Sequence, residues 1–267
     1  MTELGLAEIR KIQVDVLENL DSFCKKSGIE YLLCNGTLLG AVKYSGYIPW
    51  DDDIDVCLLR SDYERLVKEY NDPNGRFALY SMERNEKYFF PFAKLSDERT
   101  TLIEANTKEG LFGVNIDIFP IDCFGDTIEQ VEQRFKKMQR LRRRLNFAKL
   151  RVYTSHNFAK RIVKFLASVW YRIPGAKWYC KRMTMVARKS EGRYYGDVVW
   201  GFYGKGEAFE KALFTETVEV KFEGGLYPAP ARYDEYLTGL YGNWRADPPA
   251  EKQKSHHRFK AYSKQER

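Results

Sequence analysis

The stretch Trp50-Asp51-Asp52-Asp53-Ile54-Asp55-Val56 concentrates four carboxylates in five positions. Side chains alternate across an extended strand, so Asp53 and Asp55 share a face, and Asp51 joins them if the extended geometry reaches back. Further on, Ile116-Asp117-Ile118 sets one carboxylate between two β-branched residues of an apolar strand. Two carboxylates about 4 Å apart repel by about 1 kcal/mol in water and about 4 kcal/mol at an effective dielectric near 20. Several of them gathered at a partly buried strand end are costly unless a cation neutralises them. Oxygen-only ligands favour a hard one, Mg²⁺ or Mn²⁺. The candidate ligands are Asp51, Asp53, Asp55 and Asp117, with Asp53, Asp55 and Asp117 also the candidate catalytic residues. A solvated acidic turn is the bland alternative. An EF-hand also competes, because Asp51, Asp53, Asp55 and Asp62 fall at positions 1, 3, 5 and 12 of such a loop. Val56 stands where its sharp turn needs Gly, which rules it out.

About fifteen residues upstream, Gly36-Thr37-Leu38-Leu39-Gly40 follows a short strand and leads into a helix. A Gly-Thr turn at a helix N-terminus offers backbone N–H groups and a hydroxyl to phosphate. No Lys-Ser/Thr follows the second glycine, so it is not a Walker A loop.

The elements that must hold these groups are legible as periodicities. Ile9, Ile12, Val16, Leu20 and Phe23 recur at helical spacing and predict a helix over Leu6–Lys26, ended at Gly28. Strands are predicted at Tyr31–Cys34 and Ile54–Leu58, then a helix at Arg60–Tyr70 with Ser61 and Glu64 as a capping box. Further strands are expected at Phe77–Met82, Phe90–Leu95, Thr101–Glu104 and Val114–Phe119, the last closed by Pro120. Helices follow at Glu129–Val152, Asn157–Ile173 and Lys177–Lys189. Strands are expected near Val198–Phe202 and Thr217–Phe222, a short helix at Tyr233–Leu240, and a polar, partly disordered tail from Ala246. Strands and helices are mixed rather than alternating in βαβ units. This predicts an α+β fold, a small mixed sheet with helices around it. Three regions are expected: a catalytic core over 1–125, a basic helical insertion over 126–192, and a C-terminal segment over 193–267 that completes the catalytic domain.

Between Gln133 and Ser190 there are eighteen Lys and Arg and no acid, which leaves the remainder with 26 bases against 37 acids. An acidic body with one basic segment points to a polyanionic partner. Within that segment Phe158, Ile162, Phe165, Leu166, Val169, Trp170 and Ile173 lie on one side at helical spacing. Such a helix either lies in an anionic membrane interface or packs on the core. No motif of nucleic-acid recognition accompanies the charge, and nucleic acid is not the expected partner. The five cysteines show no CxxC spacing and read as buried, reduced thiols. No secretory leader and no run of about 20 apolar residues is present. The expected location is the cytoplasm, at most peripheral at the inner membrane face.

Gly-Thr after a strand, then an Asp-x-Asp strand, then a third Asp on a later strand, resembles the nucleotidyltransferase superfamily. The finer resemblance is to the LicD family of phosphorylcholine transferases. "NGTLLGAVKYSGYIPWDDDIDVCLLRSDYERL" resembles its main signature, "PFAKLSDERTTLIE" its second block with Lys94, Asp97 and Thr100 in place, and "VNIDIFPID" its third. "YPAPARYDEYLTGLYGNW" followed by "PP" resembles its C-terminal block.

The resemblance implies a nucleotidyltransferase-like mixed core, Mg²⁺ dependence, a CDP-activated alcohol such as CDP-choline as donor, and a sugar hydroxyl of a teichoic acid, lipopolysaccharide or other surface glycan as acceptor. Related proteins that carry ribitol phosphate keep the alcohol open, and an NMP-adding enzyme acting on RNA is a further alternative. On this reading Asp53 and Asp55 hold metal against the donor pyrophosphate with Asp51 assisting. Asp117 ligates metal or takes the acceptor proton. Gly36 and Thr37 contact phosphate, and Lys94 supplies compensating charge. Trp50, Tyr44 and Tyr47 either form a cation–π wall for choline or pack in the core. His156, His256 and His257 read as surface or tail residues.

Overall fold

The computed structural model describes residues 1–104, 111–149, 158–188, 191–254 and 259–264. His156, His256 and His257 lie outside them. In chain order the elements are β1 (Thr2–Glu3), α1 (Leu6–Ser27), β2 (Leu32–Leu33), α2 (Asn35–Tyr44), β3 (Asp55–Leu59), α3 (Arg60–Glu69), β4 (Phe77–Tyr80), β5 (Ala93–Asp97), β6 (Thr100–Glu104) and β7 (Asn115–Gly125). There follow α4 (Ile128–Lys149), α5 (Phe158–Arg172), α6 (Ala176–Ala187), β8 (Tyr194–Gly196), β9 (Phe209–Glu210), β10 (Thr217–Phe222), β11 (Gly225–Pro230), α7 (Tyr233–Tyr241) and β12 (Phe259–Ser263). The expected mixed α+β architecture is what the chain adopts.

The central sheet runs β2-β3-β7-β5-β4 and is mixed: β3 and β7 are parallel, the other pairs antiparallel. Helix α1 buries Ile9, Val16, Leu17, Leu20 and Cys24 and packs against β5 and β7, while α3 packs on β3 and β7. Gly28, at φ 61°, turns the chain out of α1 in the left-handed conformation that glycine adopts without strain.

Strand β7 corrects the expectation that Pro120 ends it, since the strand runs on to Gly125. Residues Asn115–Ile118 pair with β5 and Asp122–Gly125 pair with β8. Pro120 falls in the gap between these two partners on that side, so its missing N–H leaves no ladder bond unmade. The expected capping box of α3 is also replaced. The helix starts at Arg60 directly from β3, with Leu59 at the cap position and no side-chain cap. Arg60 instead makes a two-pronged ion pair with the buried Asp122 of β7, at 2.8 and 2.5 Å.

Strand β5 begins at Ala93 rather than Phe90. No strand covers Val198–Phe202; β8 ends at Gly196, and a turn follows whose amides are taken by carboxylates. The C-terminal tail is not structureless. β12 pairs antiparallel with both β6 and β1, and so ties the two ends of the described chain together. The hairpin of β10 and β11 turns at Glu223 and Gly224, both at positive φ. The five cysteines are free and buried.

The basic helices form a second apolar cluster. Val131, Met138, Leu141 and Leu145 of α4 meet Tyr179, Cys180 and Met183 of α6, and the cluster is continued by Phe124, Val198 and Val199. Helix α5 packs on α4 and turns much of its apolar stripe outward, with Trp170 70% and neighbouring Ile173 75% exposed. Among the described residues no helix is long and apolar enough to cross a membrane.

Candidate active site

The carboxylates meet where β3 and β7 run side by side. Their parallel register sets Asp55 directly beside Asp117, and the Asp117 amide donates to the Ile54 carbonyl at 2.9 Å. A cleft of about 720 Å³ lies over this point, lined by Asp51, Asp53, Asp55 and Asp117 together with Gly36 and Trp50. The structure therefore brings six of the eight expected site residues to one cavity wall. Thr37 and Lys94 stand behind it.

The route by which Asp53 reaches the cleft differs from the expectation. Strand β3 begins only at Asp55, so Asp53 does not share a strand face with it. Residues 51–54 form an irregular segment whose carboxylates at Asp51, Asp52 and Asp53 bring one oxygen each within 4.8 Å of the others. Asp52 itself is buried and lies outside the cleft lining. Helix α1 holds this segment by its carbonyls. Arg10 donates to the carbonyls of Ile48, Pro49 and Asp51 at 2.5–3.1 Å, and the Gln13 amide donates to Asp52 O at 2.9 Å. The sequence carries no local signal for Arg10 or Gln13, which act across some forty residues.

The start of helix α2 lies directly against the aspartates. The expected turn at Gly36-Thr37 is already the first helical turn, entered through Asn35 at φ 48°. A Cβ on Gly36 would come 2.7 Å from Asp51 Oδ2, so a side chain there would push the Asp51 carboxylate away from the helix start. Thr37 does not face the cleft. It is 3% exposed and its Oγ1 accepts from the Asp55 amide at 2.8 Å, which fixes the start of β3. The Asn35 side chain donates to Asp55 Oδ2 at 3.2 Å and accepts from the Tyr236 hydroxyl at 3.1 Å.

Burial raises the Asp55 carboxyl well above its usual range, the adjacent Asp117 raises it further, and the Asn35 bond partly offsets both. A like charge beside a desolvated carboxylate is the condition that a bound cation relieves. Lys94 ion-pairs with Asp117 and also donates to Asn115 Oδ1 at 3.1 Å. Its ammonium sits 5.3–5.6 Å from the rings of Phe90, Phe92 and Phe112, so it serves Asp117 from within the sheet. An all-oxygen set in which one buried acid is squeezed by another fits a hard divalent ion.

The expected aromatic trio separates. Tyr47 is buried, its hydroxyl donates to Gln13 at 2.9 Å, and Arg10 lies 4.7 Å over its ring. It packs in the core. Tyr44 donates to Asp247 at 2.6 Å and lines a neighbouring groove of about 800 Å³, which shares Leu39, Ile48, Trp50 and Tyr241 with the cleft. The aromatic wall that does face the aspartates is C-terminal, at Trp200, Phe202, Tyr203 and Tyr241. Beside it stand two carboxyls the sequence did not single out. Burial pushes Asp197 up to about 8, with Glu207 adding to the effect, and burial pushes Glu207 up to about 7.

A parallel strand pair carrying aspartates above a helix N-terminus, on a mixed sheet, is the arrangement expected of a nucleotidyltransferase-type domain. The family model described as LicD/FKTN/FKRP, nucleotidyltransferase domain, matches residues 28–152. The chain is 29% identical over 270 residues to the lipopolysaccharide cholinephosphotransferase LicD of Haemophilus influenzae, covering 98% of this chain and 99% of that protein. It is also 38% identical over 112 residues to an uncharacterized protein of Rickettsia typhi, covering 41% of this chain and 34% of that one.

Proposed function

We propose that this protein is a metal-dependent transferase that moves phosphocholine from CDP-choline to a sugar hydroxyl of a cell-surface glycan and releases CMP. The observation that carries the reading is the convergence of Asp51, Asp53, Asp55 and Asp117, from separate elements, on one cleft wall. The near full-length similarity to a lipopolysaccharide cholinephosphotransferase supports the phosphocholine group and a lipopolysaccharide-type acceptor. A teichoic acid is the alternative acceptor.

In the transfer, an acceptor oxygen bonds to the choline-bearing phosphorus, the bond from that phosphorus to the CMP oxygen breaks, and the acceptor proton is lost. Mg²⁺ or Mn²⁺ held by Asp51, Asp53, Asp55 and Asp117 would neutralise charge on the phosphate oxygens and the departing CMP. The N-terminus of α2, where Gly36 lines the cleft, would offer first-turn amides to the phosphates, with Thr37 bracing Asp55 from behind. Lys94 ion-pairs with Asp117, which is placed either to bind the ion or to take the acceptor proton. Trp50 bounds the cleft on the side of the neighbouring groove.

The partners that follow are a CDP-alcohol, a glycan and an anionic membrane surface. The last rests on α5. Its exposed Ile162, Val163, Phe165, Leu166, Val169 and Trp170 adjoin a segment with no acid between Gln133 and Ser190. A 15-residue helix is about 22 Å long, short of the roughly 30 Å hydrocarbon core, so it lies along an interface. Helix α4 links this face to the cleft: it packs on α5, and its Arg142 donates to the carbonyls of Trp200 and Gly201. A lipid-carried acceptor on that surface would then be one helix away from the aspartates.

The test is to incubate the protein with Mg²⁺, an acceptor glycan and a panel of CDP-alcohols. CMP release with CDP-choline supports the reading, and release with CDP-ribitol or CDP-glycerol alone would replace the alcohol. Pyrophosphate release from a nucleoside triphosphate with RNA would replace the reaction.

A further inference from the structure

On the cleft that the aspartates line, residues 197–207 form a loop built around two inward-facing acids. Asp197 Oδ1 accepts from the Trp200 amide at 2.8 Å, and Glu207 Oε1 accepts from the amides of Phe202 and Tyr203 at 2.6 and 2.8 Å. The other oxygen of Glu207, Oε2, has no hydrogen-bond partner among the described residues, although Glu207 is only 7% exposed. It lies against Gly201, where a Cβ would come within 1.7 Å of it. Residue 201 therefore has no side chain to separate this oxygen from the cleft that both residues line.

The aromatic rings of the same loop stand around it. Trp200 and Phe202 meet edge to face at 6.5 Å, and Tyr203 meets Tyr241 edge to face at 5.4 Å. Arg142 stacks 4.0 Å from the Phe202 ring, yet Phe202 remains 62% exposed, which leaves ring surface open. A desolvated carboxylate oxygen behind several aromatic faces suits one chemical class above others, a cation too large and too apolar to be hydrogen-bonded. An anion would be repelled by the buried carboxylates, and the ring faces offer the hydroxyls of a neutral polyol no strong partner.

We propose that the Trp200–Tyr203 loop, with Tyr241 beside it and Asp197 and Glu207 behind it, is the subsite for a quaternary ammonium head group on the donor's alcohol. The proposal rests on the CDP-alcohol reading above and adds to it the residues that select the alcohol. Phe202 and Tyr203 make the ring contacts. Glu207 is a positioning residue: it holds both ring-bearing amides and presents its free oxygen toward the cation. The titratable and charged groups that face Glu207 are Asp197, Arg142, Tyr203 and Tyr236, while Asp122 and Arg142 face Asp197. Burial favours the protonated form of both acids, and a cation in front of them favours their ionised forms.

The experiment measures Kd for CDP-choline and for CDP-glycerol, by calorimetry on the full chain with Mg²⁺, in wild type and in Phe202→Ala, Phe202→Tyr and Glu207→Gln. Wild type should prefer CDP-choline. Phe202→Ala should cut the ratio of the two affinities by roughly tenfold to thirtyfold, the scale of a desolvated cation–π contact, and Phe202→Tyr should retain it. Glu207→Gln should lower the ratio as well. Equal losses for both donors in Phe202→Ala, or no preference in wild type, would overturn the subsite while leaving the CDP-alcohol reading standing. Binding of neither donor would instead remove that reading, and the subsite with it.

Discussion

Replacing Glu207 by Gln tests the loop through stability, without any ligand. Burial lifts its carboxyl from 4.5 to about 7. The folded protein thus holds a proton that the unfolded chain has already released between those values. Stability must fall as pH rises through that window: the penalty is absent below about pH 4.5 and complete above about pH 7. At about 1.4 kcal/mol per unit, the full shift is worth about 3 kcal/mol. The part lost between pH 5.5 and 8 is about 2 kcal/mol, which for a chain of this size moves Tm by about 4–8 °C. Gln is nearly isosteric, keeps an oxygen for the Phe202 and Tyr203 amides, and carries no charge at any of these pH values. The quantity to follow is the Tm of Glu207→Gln minus that of wild type, by circular dichroism at matched ionic strength. It should grow by about 4–8 °C from pH 5.5 to 8. Asp197, raised to about 8 partly by Glu207 itself, moves in the same direction and can only widen the gap. A difference constant to within about 1 °C would show that Glu207 titrates as an ordinary carboxylate and would refute the description of the loop.

The remaining predictions concern the aspartates and the basic helices. Asp53→Asn and Asp55→Asn should each lower CMP release by roughly a thousandfold, the scale of several kcal/mol of charge stabilisation, with unchanged circular dichroism; a folded variant at full activity would remove that residue from the site. Asp117→Asn should abolish turnover but only weaken CDP-choline binding, measured by calorimetry alongside CMP release, and normal turnover would exclude it. Wild type should bind anionic vesicles at low salt and release them as salt rises, because exposed charge is screened beyond about 8 Å at physiological ionic strength. The double variant Trp170→Glu, Ile173→Glu should lose vesicle binding and keep turnover of a soluble acceptor fragment. Wild type that ignores vesicles at low salt would assign the basic face to the glycan instead.

Much of the framework is written locally. The spacing of Ile9, Val16 and Leu20 specifies α1, and Gly28 its end, because a helix stripe and a left-handed cap are properties of neighbouring residues. The run at 50–56 with Asp117 identifies the acidic cleft, because carboxylates gathered beside apolar strands are costly in any fold that lacks a use for them. What depended on distant partners was not legible. Pro120 stays in β7 because two antiparallel neighbours leave a gap there, and the tail becomes β12 because β6 and β1 offer it edges. Thr37 turns inward to hold Asp55, Arg10 reaches the acidic segment from α1, and Tyr47 goes to the core. Asp197, Phe202 and Glu207 look like ordinary loop residues until the fold carries them to the cleft that the aspartates line. Burial energy and side-chain chemistry can be read one residue at a time. The pairing of groups far apart in sequence is decided only by the packed sheet, since desolvation and charge proximity exist only once the chain has closed on itself.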